Sequence, residues 1–156
     1  MKFALNGALT IGTLDGANIE IRDAVGHENF FLFGLDAQQV QLRRSTGYRP
    51  GEIYEAEPLL KQALDLIASG FFSPEDPRLF QPLIDSLLNE DPYFCLADFA
   101  SYARTQEQAA RAYLDGDGWA KKAILNVSRV GQFSSDRTIR QYADEIWNIC
   151  PVELPP

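Results

Sequence analysis

The sequence predicts a helix-rich α/β chain, and three observations support that prediction. Residues 8–13 form a short β-compatible run, and residues 30–33 form a second, wholly apolar run. From residue 36 onward the apolar residues recur at helical spacing. With 156 residues, 46% of them hydrophobic, the chain is long enough to bury a core.

Both predicted strands fall in residues 1–35. The run Phe30–Phe33 is apolar at every position, which is typical of a strand covered on both faces in a parallel sheet. Between the strands, residues 18–24 predict one or two helical turns that Gly26 ends. Two strands make a poor self-contained core, so we expect the strand-rich part of the domain to lie upstream.

Residues 36–150 predict a series of helices and residues 151–156 a tail, so that the whole chain is one partial domain. The predicted helices span residues 37–43, 58–69, 79–88, 97–114, 119–130 and a last segment that ends at Cys150-Pro151. Ser134 or Ser135 can cap that last helix. Its apolar stripe is expected to dock on another surface: Ile139, Tyr142, Ala143, Ile146 and Trp147.

Charge and composition exclude several classes of function. The net charge of −8 disfavours nucleic acid and anionic membrane surfaces, both of which attract basic faces. No apolar run reaches the roughly twenty residues of a membrane span. Two distant cysteines and one histidine predict no metal site. A reduced, cytoplasmic setting fits this composition, because the N-terminus does not resemble a signal peptide.

Lys2 is the first candidate for chemistry. Taken alone, a lysine at position two is a solvated surface amine. A Schiff-base lysine must lose its proton, which burial favours, and the neighbours Phe3, Ala4 and Leu5 predict a buried setting. The glycines of residues 6–18 would let the backbone approach a ligand, or simply form two tight turns around a strand.

The remaining polar candidates are better interpreted as turn residues. His27 could act as a general base, but it lies in a Gly26–Asn29 turn away from other catalytic residue types. The carboxylate pairs Glu75/Asp76 and Glu90/Asp91 lie beside prolines, so we expect solvated turn residues rather than a glycosidase pair. The sequence therefore predicts no catalytic residue in this chain.

A resemblance takes the interpretation further. The segment from Met1 to Asn18 is similar to the cofactor-lysine segment of the α-glucan phosphorylases, the enzymes of glycogen, starch or maltodextrin breakdown. Further similar segments follow in order at family-like spacing: residues 28–34, 69–74, 98–102 and 133–147. The chain thus resembles the C-terminal part of such an enzyme.

The resemblance implies a cofactor, a fold and a reaction. Lys2 corresponds to the lysine that carries pyridoxal 5'-phosphate as a Schiff base. The fold would be the C-terminal part of the second Rossmann-like lobe of a two-lobed GT-B type glycosyltransferase. The implied reaction cleaves terminal α-1,4-glucosidic bonds with inorganic phosphate and releases glucose 1-phosphate, with the phosphate of the cofactor as proton donor and acceptor.

The resemblance also leaves open a second interpretation, in which the chain is not part of an active enzyme. The family's Gly-Thr-Gly-Asn stretch before the lysine, and its groups for substrate phosphate and glucose, are not in this sequence. Met1 would then be an internal start in a split or frameshifted gene. We expect the chain to be inactive alone and to need the upstream phosphorylase fragment, or a second copy, as a partner. The alternative is a non-catalytic remnant that acts by association.

Overall fold

Two short parallel strands and nine α-helices make up the part of the chain that the computed structural model describes, residues 1–150 and 152. The elements run α1 (Lys2–Leu5), β1 (Ile11–Gly12), α2 (Ala17–Val25), β2 (Phe31–Leu32), α3 (Ala37–Thr46), α4 (Pro50–Ala56), α5 (Pro58–Ala68), α6 (Gln81–Asn89), α7 (Cys95–Leu114), α8 (Gly116–Arg129) and α9 (Ser135–Tyr142). The predicted tail lies outside the described residues, apart from Val152. The helix-rich α/β class is confirmed.

The two strands pair in parallel, as the sequence predicts. The N–H of Phe31 donates to the carbonyl of Thr10 at 2.9 Å, and the N–H of Phe33 donates to Gly12 at 3.1 Å. The prediction that the second strand is covered on both faces is wrong. Leu32 remains 36% exposed, so the run is not covered on both faces along its length.

Helix positions agree well with the apolar periodicity, and the differences have local causes. Helix α4 was not predicted, although Pro50 occupies its first turn, where proline is favoured. Asp115 follows the end of α7 and also caps the next helix. Its carboxylate accepts from the N–H of Gly118 at 3.1 Å and caps α8, which therefore begins earlier than residue 119.

The first compact unit combines residues 1–10, residues 16–31 and the described residues from Arg111 onward. Its core is a small cluster of buried side chains from α1, α2 and the residues that follow α2 and α8: Ala4, Ile21, Val25, Phe30 and Val130. Ser134 caps α9 as predicted, since its hydroxyl accepts from the N–H of Arg137 at 3.3 Å.

The last helix of this unit departs from regular α geometry. Residues Ala143–Trp147 form a π-helical turn, and Asn148 ends it in the left-handed conformation with φ 55°. The predicted end at Cys150-Pro151 is therefore late, and Pro151 itself lies outside the described residues. The apolar stripe on this segment is exposed, with Ile146 at 65% and Trp147 at 53%.

The second compact unit combines residues 11–15 and 32–110. Its core joins α5, α6 and the start of α7 through buried aliphatic residues: Leu60, Leu64, Ile84 and Leu96. Polar side chains on one face of α7 hold the chain that follows β2. Asp98 accepts from the N–H of Leu35 at 2.8 Å, and Thr105 donates to the carbonyl of Leu32 at 3.2 Å.

Asp91 is the buried polar centre of the second unit, so its interpretation as a solvated turn residue is wrong. It is 1% exposed and accepts from the N–H groups of Cys95 and Leu96 at 2.8 and 2.9 Å, which caps α7. The hydroxyl of Tyr48 donates to it at 2.5 Å. Burial, and then the Asp91 carboxylate, raise the pKa of Tyr48, so the phenol stays a donor.

Replacement of Asp91 by alanine should destabilise the protein strongly. The variant leaves two helix N–H groups and the Tyr48 hydroxyl without their acceptor, so we expect a loss of about 2–4 kcal/mol in the free energy of unfolding. Urea denaturation measures it. Glu90→Ala, at the exposed neighbouring residue, is the matched control. Equal stability of the two variants would show that Asp91 does not hold α7.

The Asp98→Asn variant should have a different pH dependence of stability from the wild type. Burial raises the pKa of the Asp98 carboxyl from its ordinary value of 3.8, while the N–H of Leu35 acts in the opposite direction. The folded state therefore binds this proton more tightly than the unfolded state. The contribution of Asp98 to stability is full below about pH 3.8 and falls as the pH rises through the folded-state pKa.

Urea denaturation from pH 3 to 7 tests this expectation. The variant should gain stability relative to wild type as the pH rises above about 4, because asparagine keeps an oxygen for Leu35 without a titrating proton. Asp23→Asn, at an exposed position of α2, is the matched control. If the wild type instead becomes more stable relative to the Asp98→Asn variant as the pH rises over this range, the stated direction of the pKa shift is refuted.

Candidate cofactor-anchoring site

Lys2 begins α1, a helix of a single turn. The N–H of Leu5 donates to the carbonyl of Met1, and the N–H of Ala8 donates to Phe3, each at 3.0 Å. The side-chain amide of Asn6 donates to the carbonyl of Lys2 at 2.8 Å. The bond from Asn6 ties the carbonyl of Lys2 to the end of the turn.

Gly7 closes the turn in the left-handed region, with φ 85°, a conformation that side chains other than glycine rarely adopt. A Cβ atom at this position would lie 3.5 Å from Cγ2 of Val127, which is ordinary contact. Glycine is therefore required here for its backbone conformation and not for space. The sequence interpretation of a tight turn at Asn6-Gly7 is confirmed.

Helix α8 holds this turn from outside. Asn126, 1% exposed, donates through Nδ2 to the carbonyls of Ala4 at 3.0 Å and Ala8 at 2.9 Å. Sequence reasoning missed Asn126, although a signal was present. The residue lies in register with Trp119, Ala123 and Val130 on the apolar side of the helix, where an amide needs a buried partner.

The side chain of Lys2 is exposed, so the expected buried setting is not found in the described chain. Phe3 is 83% exposed, while Ala4, at 2%, is buried in the core and Leu5 is partly buried against it. A one-turn helix buries one side, and the small side chain of Ala4 occupies that side. Of the three neighbours that suggested burial of Lys2, only Phe3 lies at the surface of this unit.

Three of the other sequence candidates are exposed. His27 is exposed in a 3₁₀ turn over His27–Asn29, and Glu75 and Asp76 are exposed. No group of three metal-ligating side chains occurs among residues 1–150 and 152. Gly16 starts α2 with φ 47° and faces open space, which leaves its backbone accessible to close approach.

The residues of this turn fit the anchoring of pyridoxal phosphate. A Schiff base needs a primary amine that the aldehyde can reach, on a backbone that fixes the direction of the side chain. Lys2 has an accessible amine and a backbone tied to α8 through Ala4 and Ala8. In the described chain, Lys2 therefore has the features that an attachment point for the cofactor requires.

Comparison with known proteins defines the class. The model of the carbohydrate phosphorylase family matches residues 1–149 of this chain. The match includes both compact units and the Lys2 turn. The chain belongs to the carbohydrate phosphorylase family.

Individual relatives are glycogen phosphorylases. The chain is 60% identical over 154 residues to the glycogen phosphorylase of Synechocystis, with 99% of the chain covered. It is 47% identical over its whole length to the brain form of mouse glycogen phosphorylase, and 48% identical to the Haemophilus influenzae glycogen phosphorylase over 99% of its length. The chain spans about a fifth of each relative, 18–19% of their lengths.

Within residues 1–150 and 152, none of the helices combines the length and the apolarity needed to cross a bilayer. Cys95 and Cys150 are free cysteines. Burial raises the pKa of the Cys95 thiol, with the carboxylates of Asp91 and Asp98 acting in the same direction. The thiolate of Cys95 is therefore disfavoured.

Proposed function

We propose that this chain is the cofactor-anchoring portion of a pyridoxal-phosphate-dependent α-1,4-glucan phosphorylase, with Lys2 as the anchor. The observation that carries the proposal is the Lys2 turn. An accessible lysine is held on a fixed backbone, in a chain 60% identical to a glycogen phosphorylase. Lys2 forms the Schiff base and is not itself a proton-transfer residue.

The reaction is the phosphorolysis of terminal α-1,4-glucosidic bonds. When bound, pyridoxal phosphate supplies a phosphate group that donates and accepts a proton beside inorganic phosphate. The glucosidic C1–O bond breaks, an oxygen of inorganic phosphate bonds to C1, and the leaving glucan oxygen takes up the proton of inorganic phosphate. The products are glucose 1-phosphate and a shortened glucan. The role of this chain is to hold the lysine amine in place, since positioning of both phosphates and the sugar dominates such a reaction.

The remaining features of the proposal follow from the same resemblance. The chain is one partial domain, from the C-terminal part of the second Rossmann-like lobe of a GT-B type enzyme. Its substrates in the complete enzyme are α-1,4-glucan and inorganic phosphate, and its setting is the cytoplasm. The chain spans 18% of its Synechocystis relative. Activity therefore requires the upstream phosphorylase segment, or a further copy, as a partner.

A chimera tests the function. This chain should replace the matching segment of the Synechocystis relative and support phosphorolysis of maltodextrin, measured as glucose 1-phosphate release. Lys2→Ala in the chimera should reduce release to the background rate, because no amine then anchors the cofactor. Lys121→Ala, at an exposed lysine of α8, is the matched control and should keep activity.

Labelling identifies the anchored residue directly. Pyridoxal phosphate followed by borohydride and peptide mapping should label Lys2 above the other three lysines: Lys61, Lys121 and Lys122. Circular dichroism establishes that each chimera is folded. Equal labelling of all four lysines in a folded chimera, or phosphorolysis that survives Lys2→Ala, would refute the cofactor role of Lys2.

A non-catalytic remnant is the second candidate, and the exposed apolar side chains favour it. Ile139, Ile146 and Trp147 are each more than half exposed, as expected for a chain separated from its packing partners. Size-exclusion chromatography with thermal melting separates the two cases. A compact, cooperatively melting species favours an independent unit, and an aggregated or molten one favours a remnant.

The purified chain alone should not release glucose 1-phosphate from maltodextrin. It spans about a fifth of its relatives, and glycosyl transfer to phosphate depends on groups held in register across the complete site. A coupled assay with and without inorganic phosphate measures the release. Phosphate-dependent release by the lone chain would contradict the expectation.

A further inference from the structure

Asn126 holds both ends of the Lys2 turn with one side chain. Its Nδ2 group has two hydrogens, and the two carbonyls within bonding distance, at 3.0 and 2.9 Å, belong to Ala4 inside the turn and Ala8 just after it. Both bonds run between segments separated by more than a hundred residues. The amide therefore fixes the turn to α8 at two points.

The turn has few other means of staying in place. A single helical turn does not form stably by itself, because nucleation is unfavourable. Of its residues only Ala4 is buried, and alanine contributes little apolar area. Leu5 is partly buried against the same core. The two bonds from Asn126 are thus a large share of what holds α1 on the first unit.

Lys2 is coupled to those bonds through the backbone. The carbonyl of Ala4 also accepts from the N–H of Gly7 at 3.0 Å. The carbonyl of Lys2 accepts from the side-chain amide of Asn6, the residue before Gly7. Loss of the Asn126 bonds would release Ala4 and Ala8 together, and the backbone of Lys2 would move with them. The direction of the lysine side chain depends on that backbone.

We propose that Asn126 is a positioning residue for Lys2, which sets the orientation of its amine toward the aldehyde of pyridoxal phosphate. The proposal rests on the proposed function in one respect, the identity of the aldehyde. Asn126 touches neither cofactor nor substrate. It acts through the carbonyls of Ala4 and Ala8 alone.

Asn126→Leu removes both donors and keeps a similar volume. Hydrogen exchange of the Gly7 and Ala8 amides, measured on the whole chain, should quicken by about tenfold or more, since each lost bond is worth about 1 kcal/mol and 1.4 kcal/mol is tenfold. In the chimera, borohydride labelling of Lys2 with pyridoxal phosphate should fall to the rate of the other lysines. The shorter side chain of Asn126→Ser cannot reach both carbonyls. This second variant should change the same exchange and labelling rates without placing an apolar group at the site.

Asn29→Leu is the matched control. Asn29 is 3% exposed and donates through Nδ2 to the carbonyl of Val25 at 2.8 Å, in the same compact unit, without a bond to the Lys2 turn. This variant loses a buried amide of the same type. It should leave the exchange of Gly7 and Ala8 and the labelling of Lys2 at wild-type rates.

The outcomes separate the two proposals. Unchanged exchange of Gly7 and Ala8 in both Asn126 variants overturns the positioning role, whatever Lys2 binds. Faster exchange with unchanged Lys2 labelling also overturns it, because the turn then loosens without affecting the amine. Selective labelling of Lys2 in the wild-type chimera supports the proposed function independently. If Lys2 is not selectively labelled in the wild-type chimera, the cofactor role is refuted. The hydrogen-exchange rates would then still test whether the Asn126 bonds hold the Lys2 turn.

Discussion

The structure depends on the need to give every buried backbone polar group a partner where the chain has little regular structure of its own. Two helices meet that need in the same way. On α7, three side chains at spacing i, i+3 and i+7 bond to the backbone of residues 32–35: Asp98, Ser101 and Thr105. On α8, Lys122, Asn126 and Arg129 donate to carbonyls of residues 4–28 in the first unit. Each helix thereby fixes irregular chain that could not fix itself.

Apolar periodicity was sufficient to predict most of this fold. The helix over Pro58–Ala68 follows from leucines at helical spacing, and the parallel strands follow from two short β-compatible runs. Polar side chains were harder to interpret. Asp91 looked like a turn residue beside a proline, and only tertiary packing shows that it caps α7 under Tyr48. A buried carboxylate and a solvated one have the same local sequence signature.

At the candidate site too, neighbouring residues predicted some features, and other features depend on residues far away in the sequence. The resemblance marked Lys2, and the local sequence predicted the tight turn at Gly7, but the neighbours of Lys2 suggested burial that is not found. Burial of a one-turn helix depends on what packs against it, which adjacent residues do not specify. Phe3, an apolar neighbour that suggested burial, is 83% exposed. Asn126 could not be assigned to Lys2 by spacing because 122 residues separate it from Ala4.

That separation has a consequence for the order in which the protein is made. Synthesis proceeds from the N-terminus, so the Lys2 turn leaves the ribosome long before the helix that secures it. Until residue 126 has emerged, Ala4 and Ala8 have no amide to bind, and the lysine is carried on flexible nascent chain. A group that requires a fixed Lys2 can therefore be loaded only after translation has passed α8, so its attachment would report that this helix has been made.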